Sequence, residues 1–407
     1  MKINTATLSN GIRILHVQER GEVSYCGSII ACGTRDELPD EHGMAHLVEH
    51  MLFKGTAKRS ATSIIDRLEG VGGELNAFTT KENITVYGIS LKKHFERAYE
   101  LVADMVFNSQ FTDDELDKER MVVMDEIDLY LDDPSDQISD DFEDLVFAGY
   151  PLGRGILGTK KGLKTYTGES LKRFVNRCFT PDRILFFSMG SASFERVMGM
   201  AEQYLGSVPV ASGCLSDRQT PVLYTPTVTT IHKHTKQMHC QLGGRAYPKQ
   251  HPNYSAMHLA NYLLGGASSS SRLNMELREK QGLVYTVDST YASYADTGVW
   301  SVYFGADKHD KDRILDTILS EITHIQTQPL SAVALRRLKD QFLSRLVIAG
   351  ESRESWLLST ARKFMVSGKV SSKRETVQRI GEVTSEQICA VSQEVMNPEQ
   401  FCYLFYD

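Results

Sequence analysis

Three residues near the start of the chain, His46, Glu49 and His50, have the types and spacing of a catalytic metal site. They lie in a segment from 41 to 54 whose apolar residues recur at helical spacing, which predicts an amphipathic helix. The two imidazoles are then one turn apart on the face opposite the apolar stripe, and Glu49 lies between them. Two neutral histidine nitrogens can bind zinc, while the carboxylate takes a proton from a water molecule that the ion polarises. The same side chains could instead be ordinary solvated residues of a polar helix face.

A catalytic zinc site needs a third protein ligand besides the two histidines. A predicted helix from 112 to 131 places Glu119 and Glu126 on the same stripe as its apolar residues. Burying a carboxylate is costly unless it is paired or binds a metal, so either residue is a candidate ligand. The alternative is that both pair with Arg or Lys side chains of another helix. Spacing alone does not choose between them, and Glu74 and Glu82 stay open as well.

The elements that must position these residues are strands and helices in alternation. In the first half the predicted strands are 11–17, 23–32, 74–80, 83–91 and 182–189, and the predicted helices are 41–54, 60–69, 93–107, 112–131 and 194–205. Residues 206–227 are rich in Gly, Pro, Ser and Thr, which predicts a linker. After it come predicted strands 228–235, 238–246, 283–293, 298–306 and 401–406, with helices 253–264 and 270–279 and a further run of helices before the last strand.

The second half repeats the order of the first. His258 to Tyr262 occupy the place of His46 to His50 at an offset of 212 residues, and only the first copy keeps the charged motif. This predicts an α+β fold of two homologous α/β domains, each a mainly antiparallel sheet packed with helices. The predicted catalytic, zinc-binding domain is 1–205, and the predicted C-terminal domain, 228–407, is joined to it by the linker.

Composition excludes several classes of protein. The 407 residues are 41% hydrophobic and 24% charged, which is typical of globular domains and not of disordered or fibrous chains. No apolar run is long enough to span a membrane, and a net charge of −7 argues against a general nucleic-acid binder. We expect a cytoplasmic protein, because no signal or transit pattern is seen and the seven cysteines are scattered, as reduced thiols are.

His46 to His50 also form the inverted zinc motif HxxEH, and their surroundings resemble the pitrilysin/insulysin (M16) family of metallopeptidases. The resemblance is to short bacterial members similar to the β-subunit of the mitochondrial processing peptidase. The matching segments run along essentially the whole chain and are Gly33–Glu37, Gly43–His46, Phe53–Thr56, Gly72–Ala77, Glu119–Ile127, Pro151–Arg154 and Ser271–Leu273.

The resemblance implies a zinc metalloendopeptidase that holds one zinc ion per chain. It makes His46, His50 and Glu126 the metal ligands. It makes Glu49 the general base that passes its proton to the leaving amine, and it makes Glu119 a carboxylate that orients the site.

Further residues are implied to act on the substrate. Arg278 binds its backbone and Tyr285 donates a hydrogen bond to the reacting carbonyl oxygen. A peptide, or an unfolded segment of a polypeptide, adds to the strand 74–80 as an extra strand, held by Asn76 and Ala77.

The length of the chain has a consequence under this resemblance. Closed chambers in the family contain four such domains and this chain has two, so a homodimer is expected, with each zinc site completed by Arg278 and Tyr285 of the partner. The leading alternative is a non-catalytic peptide-binding scaffold or partner subunit of the same fold. The intact Glu49 argues against it, because a scaffold needs no general base. A third interpretation is a zinc hydrolase that acts on small molecules. The predicted peptide-binding strand argues against it.

Overall fold

The computed structural model describes residues 2–211, 218–233, 235–370 and 372–407, with the backbone alone for Lys373. Residues 212–217 of the predicted linker, among them Cys214, and residue 234 of a predicted strand lie outside the described residues. The strands are β1 Lys2–Thr7, β2 Arg13–Gln18, β3 Val23–Ile30, β4 Glu74–Thr79, β5 Ile84–Leu91, β6 Ile184–Gly190, β7 Val228–Ile231, β8 Met238–Ala246, β9 Val284–Ser293, β10 Gly298–Ala306 and β11 Cys402–Tyr406. The helices are α1 Met44–Met51, α2 Ala61–Glu69, α3 Phe95–Asn108, α4 Asp113–Leu131, α5 Pro134–Val146, α6 Lys160–Leu163, α7 Gly168–Cys178, α8 Phe194–Leu205, α9 Tyr254–Leu264, α10 Lys311–Thr327, α11 Ala332–Ala349, α12 Arg353–Ser367, α13 Lys373–Glu382 and α14 Ser385–Val395, with a π-helix at Asn274–Lys280.

These elements form two compact units, each assembled from separate stretches of the chain. The first unit comprises Met1–Leu129, Arg154–Arg218 and Arg353–Val370, and the second comprises Tyr130–Gly153, Gln219–Ser352 and Ser371–Asp407. The compact units therefore differ from the continuous ranges 1–205 and 228–407. The reason is that α12 buries its apolar side chains in the first unit, whereas α5 buries its own against strands of the second. As bounds of two homologous domains, the two ranges stay a prediction.

The two sheets share one topology. The first has the order β1-β2-β6-β3-β5-β4, with β2 and β6 parallel and the other pairs antiparallel. The second has the order β7-β11-β8-β10-β9, with β7 and β11 parallel and the other pairs antiparallel. Without β1 the first order matches the second strand for strand along the chain. The predicted α+β fold of two similar, mainly antiparallel halves is confirmed.

Most predicted elements are present with shifted ends, and a few elements were missed. Strand β1 and helices α5, α6 and α7 were not predicted from the sequence. The predicted helix 41–54 begins only at Met44, because Gly43 has a φ of 89° and cannot continue a right-handed helix backward. Among the described residues the cysteines are buried free thiols, and no helix is long and apolar enough to cross a membrane.

The core of the first unit has two layers that bear on the site. On one face of the sheet, α1 and α3 pack with β5 residues Ile84 and Val86. On the other face, α12 packs with Tyr87 of the same strand. Strand β4 is the edge of this sheet next to α1, so α1 lies beside an edge strand that has one unpaired side.

Candidate metal centre

The start of α1 is fixed by a buried carboxylate and a close backbone contact. Glu37 accepts hydrogen bonds from the amides of Gly43 (3.0 Å) and Ala45 (2.8 Å), which satisfies two of the free donors at the helix N-terminus. Gly43 lies against Gly158, where a Cβ on Gly43 would come within 2.6 Å of the Gly158 Cα. Glycine is therefore required at position 43 on two grounds, its positive φ and the lack of space.

Both faces of α1 are largely buried. The apolar stripe of Met44, Leu47, Val48, Met51 and Leu52 lies in the core as predicted. The opposite face is also enclosed: His46 is 7% exposed and Glu49 is 9% exposed. Ordinary solvated side chains do not account for these two residues, because buried polar groups need partners.

The structure brings the ligand atoms of His46, His50 and Glu126 together, within 4.8 Å of one another. The Nε2 atom of His46 is 3.7 Å from Oε2 of Glu126, and the Nε2 atom of His50 is 3.5 Å from the same oxygen. The Glu126 side chain is 43% exposed, so the predicted burial of both glutamates of α4 holds for Glu119 and is wrong for Glu126.

Glu119 lies behind His50 rather than in the cluster. Its Oε2 atom is 3.1 Å from Nδ1 of His50, and its Oε1 atom is 2.6 Å from Nζ of Lys54. A hydrogen bond at Nδ1 fixes the orientation of the imidazole and directs Nε2 toward Glu126, the arrangement typical of metal-binding histidines. Glu119 therefore pairs with a lysine alongside its contact to His50, although Lys54 lies just after α1 and not within another helix.

The other two acidic candidates lie elsewhere. Glu82 forms a buried ion pair with Arg35, with 2.9 Å between Oε1 and Nη1. Glu74 is exposed at the first position of β4.

The ionisation of His46 and Glu126 suits a cation. Burial and the neighbouring His50 lower the pKa of His46 to about 4, so this imidazole is neutral near pH 7. Burial acts to lower the pKa of His50, but its hydrogen bonds to Glu126 and Glu119 outweigh burial and raise it. The hydrogen bond from His50 lowers the pKa of Glu126, which keeps that carboxylate ionised. Nδ1 of His46 is buried without a hydrogen-bond partner among the described residues.

Glu49 links the cluster to the edge strand. Thr79 of β4 donates a hydrogen bond to Oε2 of Glu49 over 2.7 Å. Burial raises the pKa of Glu49, while the bond from Thr79 opposes the rise. A carboxylate with a raised pKa, held beside candidate metal ligands and next to an open strand edge, has the properties of a general base.

Comparison with known proteins decides the family. A family model described as "Insulinase (Peptidase family M16)" matches residues 13–160, and one described as "Peptidase M16 inactive domain" matches residues 165–342. An uncharacterized zinc protease of Bacillus subtilis, YmxG, is 31% identical over 98% of this chain and 96% of its own length. The uncharacterized zinc protease ML0855 of Mycobacterium leprae is 31% identical over 96% of this chain and 88% of its own length. The chain belongs to the M16 peptidase family.

Solved structures share the fold of this M16 chain. A protease from Helicobacter pylori superimposes with a TM-score of 0.91 at 19% identity, over 100% of this chain and 99% of its own. A structure from Pseudomonas fluorescens titled as a peptidase M16 inactive domain has the same TM-score at 20% identity, over 100% of this chain and 98% of its own.

The remaining predicted site residues of the M16 chain lie on edge strands and on the π-helix. Asn76 and Ala77 are in the edge strand β4 of the first unit. Arg278 is exposed on the π-helix of the second unit, and Tyr285 is 60% exposed on β9, the edge strand of the second sheet. Tyr285 is thus not a core residue.

Three residues that bear on the site were not predicted from the sequence. Glu37 caps α1, Lys54 pairs with Glu119, and Thr79 bonds Glu49. Helical spacing could have indicated Lys54, because it lies four positions after His50. Strand alternation could have indicated Thr79, because it lies two positions after Ala77 and so on the same face of the strand. No local sequence pattern indicates the role of Glu37.

Proposed function

We propose that this protein is a zinc-dependent endopeptidase that hydrolyses peptides or unfolded segments of polypeptides. The observation that carries the proposal is the convergence of His46, His50 and Glu126 beside Glu49 and the open edge of β4. Membership of M16, whose relatives in Bacillus and Mycobacterium are named zinc proteases, supports peptidase chemistry. It also supports zinc as the metal.

The donor set fits a zinc ion with an open coordination position. Two imidazole nitrogens and one carboxylate oxygen are the ligands of many catalytic zinc sites. We assign His46, His50 and Glu126 to this role, with one ion per chain. Such an ion, when bound, acts as a Lewis acid on the scissile carbonyl and makes a water molecule more acidic.

Glu49 supplies the proton transfers that hydrolysis requires. Its carboxylate takes a proton from the attacking water and delivers it to the nitrogen of the leaving amine as the peptide bond breaks. Thr79 holds the carboxylate toward the strand edge. Glu119, braced by Lys54, keeps His50 oriented.

The substrate binds as an added strand on β4. Asn76 and Ala77 offer their backbone groups at this edge, and backbone pairing of this kind requires an extended, locally unfolded substrate. The same strand carries Thr79, so a peptide bound there passes next to Glu49.

From the family resemblance we further propose a homodimer. Two copies enclose a chamber in which Arg278 and Tyr285 of one copy act on the substrate bound to the other, the arginine on its backbone and the tyrosine on the carbonyl oxygen. A cytoplasmic location is supported by the buried free thiols among the described cysteines, since disulfides are rare in reducing compartments.

The decisive experiment compares the wild type with Glu49→Gln on a set of unstructured peptides, with the metal content of both determined. We expect both proteins to hold zinc, the wild type to cut within the peptides, and the variant to lose at least about 100-fold in kcat, the range typical of a general base. Chelation should abolish wild-type cleavage.

The matched control is Glu69→Gln, the same chemical change at an exposed position at the end of α2. It should cleave as the wild type does. If Glu49→Gln cleaves at the wild-type rate, Glu49 is not the base. If the wild type holds zinc and cuts no peptide, the scaffold or partner-subunit reading takes the place of the endopeptidase.

A further inference from the structure

Arg362 lies on the face of the first sheet that α12 covers, beside the edge strand. Its guanidinium carbon is 5.8 Å from the ring centroid of Phe78, a residue of β4. Phe78 packs edge-on against Tyr87 of β5, with 6.3 Å between the ring centroids. A cation therefore lies next to the strand on which we place the substrate.

No carboxylate of the described residues pairs with this cation. Arg362 is half-buried and forms no hydrogen bond or ion pair within the part of the chain that the structure describes. Burial alone lowers the pKa of its guanidinium, and no acidic neighbour opposes it. Glu354 of α12 accepts a hydrogen bond from the Tyr87 hydroxyl instead. Holding a guanidinium half-buried without an anion is costly, which points to an anion supplied from outside the chain.

The position of Arg362 relative to an added strand follows from the register of β4. Ala77 and Thr79 lie opposite Val86 and Ile84, which face α1, whereas Phe78 lies opposite Thr85 on the other face. The side chains of a peptide added to this edge alternate in the same way, so every second one falls on the face of Phe78 and Arg362.

Arg362 lies close to the place at which the bound peptide would be cleaved. Phe78 directly precedes Thr79, whose hydroxyl bonds Glu49, and each strand residue advances about 3.3 Å. The substrate side chain next to Arg362 therefore belongs to a residue within about two positions of the cleaved bond.

We propose that Arg362 is a specificity-determining residue that binds an acidic side chain of the substrate, at a position close to the cleaved bond on the face covered by α12. The inference rests on the proposed function, because it assumes that a peptide adds to β4. A guanidinium pairs with a carboxylate through two parallel hydrogen bonds, and a half-buried location strengthens them. Peptides with Glu at this position should bind about tenfold more tightly than peptides with Gln.

The experiment measures binding separately from cleavage. A labelled parent peptide without acidic residues and a series with one glutamate moved along it are titrated into zinc-loaded Glu49→Gln protein, and fluorescence anisotropy gives each Kd. The same peptides with glutamine in place of glutamate are the reference. We expect a Glu/Gln preference of about tenfold at one position or at two alternate positions.

Variants of α12 then test the assignment to Arg362. In the Glu49→Gln background, Arg362→Gln should bring the preference close to one, and Arg362→Glu should invert it in favour of a lysine-containing peptide. Lys363→Gln removes the same charge from the next, exposed residue of the helix and should keep the preference. Circular dichroism of each variant checks that it folds.

The outcomes separate the two proposals. An equal affinity for Glu and Gln peptides at every position, or a preference that survives Arg362→Gln, overturns the role of Arg362 even if the wild type cleaves peptides. A preference lost with Arg362 alone supports it even if no cleavage is found, in which case only the endopeptidase proposal fails.

Discussion

Replacing Gly43 by Ala tests how tightly the start of α1 is built. The φ of 89° is unfavourable for an L-residue by about 1–2 kcal/mol. In addition, the new Cβ would lie 2.6 Å from the Cα of Gly158 and 2.7 Å from the carbonyl oxygen of Leu157. These are backbone atoms, which cannot rotate away, and overpacking of this kind costs about 1–3 kcal/mol. The variant should therefore lose about 2–5 kcal/mol in its free energy of unfolding.

Gly72→Ala provides the matched control. Gly72 also has a positive φ, 76°, but a Cβ there meets nothing within 4 Å. Both substitutions also restrict the unfolded chain to the same degree, so the difference between them isolates the contact with Gly158.

The assay is urea unfolding in the presence of a chelator, so that zinc release does not contribute, together with zinc affinity of the folded proteins. Gly43→Ala should be less stable than Gly72→Ala by about 1–3 kcal/mol. It should also bind zinc more weakly, because His46 follows one turn later. Equal stability of the two variants would refute the close contact of Gly43 with Gly158.

Three further outcomes are expected. Glu119→Gln should weaken zinc binding about 10–100-fold in a chelator competition. The same change at Glu115, a partly exposed residue of the same helix that pairs with Lys118, should not. Equal affinities of the Glu119→Gln and Glu115→Gln variants would mean that Glu119 does not orient His50. Burial raises the pKa of Glu37 to about 8 from an ordinary 4.5, so the folded chain holds one more proton than the unfolded chain between these values. The free energy of unfolding should then fall as the pH rises from about 5 to about 8, and Glu37→Gln should flatten that fall; an unchanged slope would contradict this. Finally, mixing Glu49→Gln with Arg278→Ala under demonstrated subunit exchange should restore cleavage that neither shows alone, and no restoration would refute the shared site.

The elements of the fold were largely predictable, because each depends on residues close in the sequence. The 3.6-residue period of α1 and α4 and the two-residue period of β4 and β5 are local patterns, and the topology match of the two sheets follows the repeat at an offset of 212 residues. The crossing of α5 and α12 into the other compact unit was not predictable. It depends on which apolar surface each helix finds, and no residue within either helix encodes that choice.

For the candidate site too, some features follow from the sequence and others only from the fold. The spacing of His46, Glu49 and His50 shows from the sequence alone that two imidazoles and a carboxylate share one helix face, and the family motif adds Glu126. The spacing does not show that this face is buried, because the layers around α1 come from residues far away in the sequence. The spacing alone does not separate Glu119 from Glu126, since both lie on one stripe of α4, and the family resemblance assigned their roles. The fold adds their distances, with Glu119 beside Nδ1 of His50 and Glu126 beside Nε2 of His46 and His50.

The sequence by itself thus determined which groups are available for chemistry and at what helical or strand spacing, since a helix or strand presents its side chains at a fixed period. The tertiary structure alone decided which of these groups face each other, how far each is removed from water and which charges lack a partner. Thr79 bonded to Glu49, Glu37 at the start of α1 and the unpaired guanidinium of Arg362 beside Phe78 are all of this second kind. The first joins residues 30 positions apart and the last joins residues 284 positions apart. Glu37 reaches amides six and eight positions ahead through a segment that is neither helix nor strand, so no fixed period places it there.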